Sequence, residues 1–313
     1  MNLFLTSFES VAVLLGIGLV GFYIIKRKIV KGDALKFLSP LVLEIALPCL
    51  IFINIIQGFS PQENQNWWHL PLWWLLFTAI AAVFTALFMF LSKKDTRKEF
   101  AASLFYHNGI FFPLAIIAGM FPSEPSYLVL LFLFTLLYPA FFFNTFRIFF
   151  KDKNQPLNIK KIFHPVLLAT LLAIVIRLGN GHQYIPEFAL SIVQLLGGMT
   201  IPLIMILLGG NIYIDFHKKG VIHTTEIIKF VAIKNFVFPL IFLAIIKMIQ
   251  PDYFIALLLL IQSAVPPVTA VPLLTERVGG NRTIVNQFIV ASFLVSLGSI
   301  PLMIWLFDIF FSM

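Results

Sequence analysis

Runs of apolar residues, separated by short clusters of charge, Gly and Pro, repeat along the whole chain. Ten runs can be marked, at about 8–25, 38–56, 70–91, 101–120, 127–146, 162–176, 188–212, 227–249, 253–274 and 284–309. They are continuously apolar rather than alternating, which predicts helices and not the strands of a closed barrel. A helix needs roughly 17–25 residues to cross a hydrocarbon core, and most of the runs reach that length. The sixth is short, and the first, seventh and eighth carry polar positions. The expected fold is an all-α integral membrane protein with ten transmembrane helices.

Composition narrows the class further. Of 313 residues, 60% are hydrophobic and 12% charged, with 36 Phe. A soluble domain is roughly 45–50% apolar and a quarter charged, so it would leave much of this surface in water. Cys49 stands alone, which rules out an internal disulfide. The net charge of +8 is explained by topology, so no nucleic-acid partner is expected.

The charges fix an orientation. Loops after odd-numbered runs hold 19 of the 22 basic residues, from the Lys26–Lys36 cluster through Lys93–Lys98 and Arg147–Lys161 to Lys218, Lys219, Lys229, Arg277 and Arg282. Loops after even-numbered runs hold only Arg177 and Lys247, and Lys234 lies within the eighth run. The positive-inside bias puts both termini outside the cytoplasm. Trp67, Trp68, Trp73 and Trp74 fall where an outer aromatic belt is expected. No basic residue precedes the first run, so it reads as a span rather than a signal peptide.

Ten runs divide into five and five. Halves with an odd number of spans must sit inverted, a recurring plan in secondary transporters. The expected division is a first repeat over 1–150, a short cytoplasmic linker at 151–161 and a second repeat over 162–313. An offset of 154 places Pro48 on Pro202, Pro113 on Pro267 and Asn108 on Gln262.

Runs four and nine carry the chemistry. Proline has no N–H, and its ring clashes with the carbonyl four residues back. Within a helix, Pro113 would free the carbonyl of Gly109, and Pro266 and Pro267 those of Gln262 and Ser263. Such breaks are tolerated only inside protein or beside a cavity. Half-helix N-termini there would favour an anion. The candidate substrate-binding residues are Asn108, Gly109, Pro113, Gln262, Ser263, Pro266 and Pro267. The plainer reading is a pair of packed proline kinks.

Three ionisable residues are candidates for coupling or a charge pair: Glu44, Lys234 and His107. Glu44 precedes Pro48 by four residues, on one helical face. It would carry a proton or a cation, or neutralise Lys234. Lys234 would attract an anion or snorkel outward to the headgroups, the second being slightly favoured. His107 would titrate near neutral pH or serve structure. Gly16, Gly18 and Gly21, with Gly197, Gly198, Gly209 and Gly210, suit close helix packing.

Ala46-Leu47-Pro48, Asn108-Gly109 with Pro113, Ser263-Ala264-Val265-Pro266, and Lys234 with Pro239 together resemble the auxin efflux carrier family. That family includes plant auxin exporters and bacterial permeases labelled for malate or malonate, and it belongs to a superfamily with the bile acid carriers. The resemblance covers nearly the whole chain. It implies two inverted five-helix repeats whose fourth and ninth helices break and cross near mid-membrane at the substrate site. It also implies a homodimer and a bacterial inner (plasma) membrane. The chain departs from the plant members in its short 151–161 connection and in Gln262, where a small residue is expected.

The expected function is secondary transport of a small organic anion, a carboxylate above all, by alternating access. Proton or sodium coupling is left open. The alternatives are a sodium-coupled symporter of the bile acid carrier type and a non-transporting receptor or assembly subunit. No G-x-x-x-x-G-K-[ST], H-E-x-x-H or G-x-S-x-G pattern occurs, so no ATP-driven or enzymatic role, metal or cofactor is expected. The other partner is membrane lipid.

Overall fold

The computed structural model describes residues 3–62, 66–150, 164–217 and 221–311. Among them the chain is helical, with no strand. The first half contains α1 (Leu3–Lys26), α2 (Ala34–Gly58), α3 (Trp67–Leu91), α4 (Arg97–Phe105), α5 (Phe111–Met120), α6 (Pro125–Phe134) and α7 (Tyr138–Thr145). The second contains α8 (Pro165–Leu178), α9 (Glu187–Gly198), α10 (Thr200–His217), α11 (Thr224–Ile249), α12 (Tyr253–Ala264), α13 (Val271–Arg277) and α14 (Arg282–Phe311). The linker at 151–161 and Lys218 and Lys219 lie outside the described residues.

Among the described residues, six stretches are long and apolar enough to cross a membrane: α1, α2, α3, Glu187–Ile214, α11 and α14. Phe111–Met120, Ser126–Phe142, Pro165–Leu178 and Tyr253–Ala264 are apolar but shorter. Run four divides into α4 and α5, and run nine into α12 and α13. Both broken helices sit at the centre of the fold, where Tyr106–Ile110 and Val265–Val268 are buried.

Two prolines reshape their helices without breaking them. Within α2, Leu41–Ala46 forms a π-turn, and within α11, Ile233–Val237 does the same. The N–H of Leu47 donates to Val42 and that of Phe238 to Ile233, each five residues back. Pro48 and Pro239 come next in each case, and their missing N–H deprives Glu44 and Asn235 of the usual helical donor. A widened turn takes up the mismatch and rotates the register. The shared face expected for Glu44 and Pro48 is therefore lost: Pro48 is buried and Glu44 exposed.

The helices pack in two groups that meet chiefly where α1 lies against α14 and α5 and where α2 lies against α6. One contains α1 against α10 and α2 against α8 and α9. The other gathers α11, α12 and α14 with α3, α4 and α6, and encloses the two breaks. A Cβ on Gly209 would run into the carbonyl of Gly18, and one on Gly21 into that of Ile206. The α1 and α10 backbones therefore touch, a closeness that only small residues permit. Phenylalanines bind the second group across the two halves. Phe230 of α11 stacks on Phe288 of α14 at 4.5 Å and meets Phe100 of α4 edge-on at 5.3 Å. Trp74 departs from the expected belt: it is buried against Tyr138 and Phe141.

Candidate substrate site at the helix crossover

The two interrupted stretches run antiparallel and clasp each other through their main chains. The N–H of Asn108 donates to the Pro266 carbonyl at 2.8 Å, and that of Val268 donates to the Tyr106 carbonyl at 2.9 Å. His107 and Pro267 face each other between these bonds. The bonds are reciprocal, so Tyr106, His107 and Asn108 correspond to Pro266, Pro267 and Val268. The repeat offset at the crossover is therefore 160, not the expected 154. The same offset relates the starts of α5 at Phe111 and α13 at Val271. By this offset Asn108 corresponds to Val268 rather than to Gln262. Pro113 falls within the first turn of α5, as Pro272 falls within that of α13, positions where proline is tolerated because the first N–H groups lack helical partners.

Side chains satisfy three further carbonyls. Gln262 Nε2 donates to the Gly109 carbonyl at 2.8 Å. Lys234 Nζ donates to that of Ser263 at 3.1 Å. These are two of the carbonyls the prolines were expected to free. Tyr138 Oη donates to the His107 carbonyl. Asn108 Oδ1 accepts from the Phe111 N–H at 3.2 Å and so caps α5. Irregular backbone in an apolar interior is costly without such partners; here Gln262 reaches across from the second half to the first, and Lys234, Tyr138 and Asn108 each serve their own half.

Gly109 is closely hemmed in. A Cβ there would lie 2.8 Å from Gln262 Oε1 and 3.1 Å from His107 Nε2. The position related to it by the offset, Thr269, carries a side chain and is half-buried.

Asn108, Gly109, Gln262, Ser263, Pro266, Pro267, His107 and Lys234 are brought together, with Pro113 just inside α5. Glu44 is not: it is exposed on α2, where its charge acts on His164. Its expected pairing with Lys234 does not form, nor does Lys234 snorkel outward. Lys234 is fully buried. The π-turn is the cause, because it aims two consecutive side chains inward at different helices. Lys234 reaches α12, while Asn235 Nδ2 donates to the Ser292 carbonyl at 3.0 Å and to Ser299 Oγ at 3.2 Å. Ser292 Oγ returns a bond to Asn235 Oδ1 at 2.8 Å. This network and Tyr138 escaped the sequence reading. Ser292, Ser296 and Ser299, spaced to share one face of an apolar run, were the available signal.

A profile of a family described as a membrane transport protein matches residues 6–159 and again 149–304. The chain belongs to this auxin efflux carrier-like family of membrane transporters. The two matches fall one on each half, and each contains one stretch of the clasp. The chain is also similar to an uncharacterized transporter of Methanocaldococcus jannaschii, at 26% identity over 219 residues, covering 68% of this chain and 71% of that protein. Membership in the family makes this a multi-pass membrane protein of transporter type.

Proposed function

We propose that the protein is a secondary transporter that carries a small organic anion, a carboxylate, across the membrane by alternating access. The observation that carries this reading is the reciprocal main-chain clasp, with the Lys234 amine buried beside it. An anionic ligand binding beside a buried amine favours its charged form. In this reading ten helical spans form two inverted repeats, 1–150 and 162–313, joined by a cytoplasmic linker at 151–161. Both termini lie outside the cytoplasm of a bacterial inner membrane. The group of helices that encloses the breaks moves against α1, α2 and α8–α10. Asn108, Gly109, Gln262 and Ser263 contact the substrate.

The experiment is counterflow in proteoliposomes loaded with unlabelled carboxylates and given labelled tracer. Exchange needs no driving gradient, so the coupling ion need not be known. The expected result is exchange that Asn108→Ala reduces by at least about tenfold while the purified variant keeps its elution profile. Unchanged exchange in Asn108→Ala would remove the crossover as the site. Absence of exchange across a broad carboxylate panel would remove the substrate class.

A further inference from the structure

The two ends of the fold are packed differently. At one end α1 lies against α5 and α14, and one face of its first half is buried. That face carries Ser7, Ser10, Val11 and Leu14, at the spacing of a single helical stripe. The approach is closest at Gly119, near the end of α5. A Cβ there would lie 2.2 Å from Ser10 Oγ and 2.8 Å from Ser10 Cβ. Both serine hydroxyls are turned back onto their own helix, Ser10 donating to the Thr6 carbonyl at 2.7 Å and Ser7 to the Phe4 carbonyl at 3.0 Å. The contact is therefore closed by shape, and it can part without breaking either bond. Polar ties between distant helices instead stiffen each group from within. Arg177 donates to the Phe59 carbonyl in the first group. In the second, Glu226 accepts from Ser92 Oγ and Glu99 from the Asn281 N–H.

The other end lacks the matching contact. The offset of 160 that relates the crossing stretches carries Pro113 to Leu273 and Gly119 to Gly279. Pro113 is buried, whereas Leu273 is 46% exposed. A Cβ on Gly279 would meet nothing within 4 Å. In the inverted-repeat reading α8 is the counterpart of α1. It packs on α2, and among the described residues it has no comparable packing on α13. Inverted repeats sealed at one end and parted at the other are what a carrier resting with one entrance shut would show. We propose that this is the conformation closed on the side where α1 begins, with Ser10 against Gly119 as the seal, and that a water-filled cleft beside Leu273 opens to the opposite side. The inference rests on the carrier reading above and deepens it, naming the contact that parts when the entrance changes sides. With the orientation proposed there, the seal faces outward and the cleft faces the cytoplasm.

The test is labelling with a membrane-impermeant maleimide, applied from each side of membrane vesicles. The native thiol is removed as Cys49→Ala, and a single cysteine is placed as Ser7→Cys or as Leu273→Cys. A thiol reacts as the thiolate, so one that faces lipid or is sealed between helices stays unlabelled. Leu273→Cys should label from the cytoplasmic side at least about tenfold faster than Ser7→Cys labels from outside. The methyl of Gly119→Ala cannot coexist with the Ser10 side chain, so it should raise labelling of Ser7→Cys at least about tenfold and lower that of Leu273→Cys. Adding Ser10→Gly leaves only the Cα, 3.4 Å from the new methyl, and should reverse both changes. Counterflow should slow in Gly119→Ala and recover in the double variant. A Leu273→Cys that stays unlabelled, or labels from outside alone, overturns the cytoplasmic cleft. Labelling of Ser7→Cys that does not respond to Gly119→Ala overturns the seal. The comparison of the two single cysteines stands even where Gly119→Ala fails to fold. Neither labelling arm needs a solute, so failure of every carboxylate to exchange would remove the proposed substrate and leave the seal to be judged by itself.

Discussion

The stretches 106–110 and 265–270 follow one backbone path with two sets of side chains. The first is polar and flexible in composition: Tyr106, His107, Asn108 and Gly109. Asn108 caps α5 from within it, while Gln262 of α12 and Tyr138 of α7 meet its Gly109 and His107 carbonyls. The second is stiffened by Pro266 and Pro267, and beside it Lys234 of α11 meets the Ser263 carbonyl. The two-fold therefore holds for the reciprocal pair of main-chain bonds and is broken in chemistry. The amide and amine donors to the freed carbonyls both come from the second repeat.

The largest effect is expected from removing half of the clasp. Val268→Pro deletes the N–H that meets the Tyr106 carbonyl and leaves that carbonyl buried and unpaired, at a cost of about 1–3 kcal/mol. Thermal unfolding in detergent should show the loss together with abolished exchange. The related substitution Asn108→Pro should cost a similar amount, and a large inequality between them would mean that the two bonds are not equivalent.

A comparable but asymmetric effect on stability, with less effect on exchange, is expected beside the clasp. Gly109→Ala places a methyl against Gln262 Oε1 and His107 Nε2, an overpacking penalty of about 1–3 kcal/mol. Gln262→Ala in the same chain should return part of it, which a double-mutant cycle would read as coupling. Thr269→Ala, across the two-fold, should cost less than about 1 kcal/mol. Equal penalties at 109 and 269 would erase the asymmetry.

The smallest effect is expected far from the crossover. The Lys36 hydrogen bond holds the Asp33 carboxyl below its usual range. Its contribution is present above the ordinary carboxylate pKa and fades on acidification through the lowered value. Both side chains are more than four-fifths exposed, so Asp33→Asn should shift the unfolding temperature by no more than about 1 °C. A larger shift would show that this exposed loop matters as much as the core.

Much of the helical pattern was legible because each long apolar run has one fate in a membrane. The location of the breaks was legible too, since Pro113, Pro266 and Pro267 lie beside amide and hydroxyl residues. The register between the repeats was not. Matching Pro113 to Pro267 equates a proline in the first turn of a helix with one in an extended crossing, and these answer to different constraints. Lys234 was misjudged because a regular helix was assumed through Pro239. The π-turn that Pro239 imposes swings residues 234 and 235 inward together, and no periodicity rule built on 3.6 residues anticipates that. Glu44 was displaced in the same way by Pro48.

Main-chain atoms alone make the clasp, and this has a consequence for how such a molecule can diverge. Every residue type but proline offers an N–H, and all offer a carbonyl. The two reciprocal bonds therefore constrain few of the letters written at 106–108 and 266–268. After a duplication, each copy could drift in sequence while the joint between them persisted. The crossover is in that sense a fixed socket with exchangeable fittings, and solute preference could be rewritten by grafting side chains around it while its path is kept.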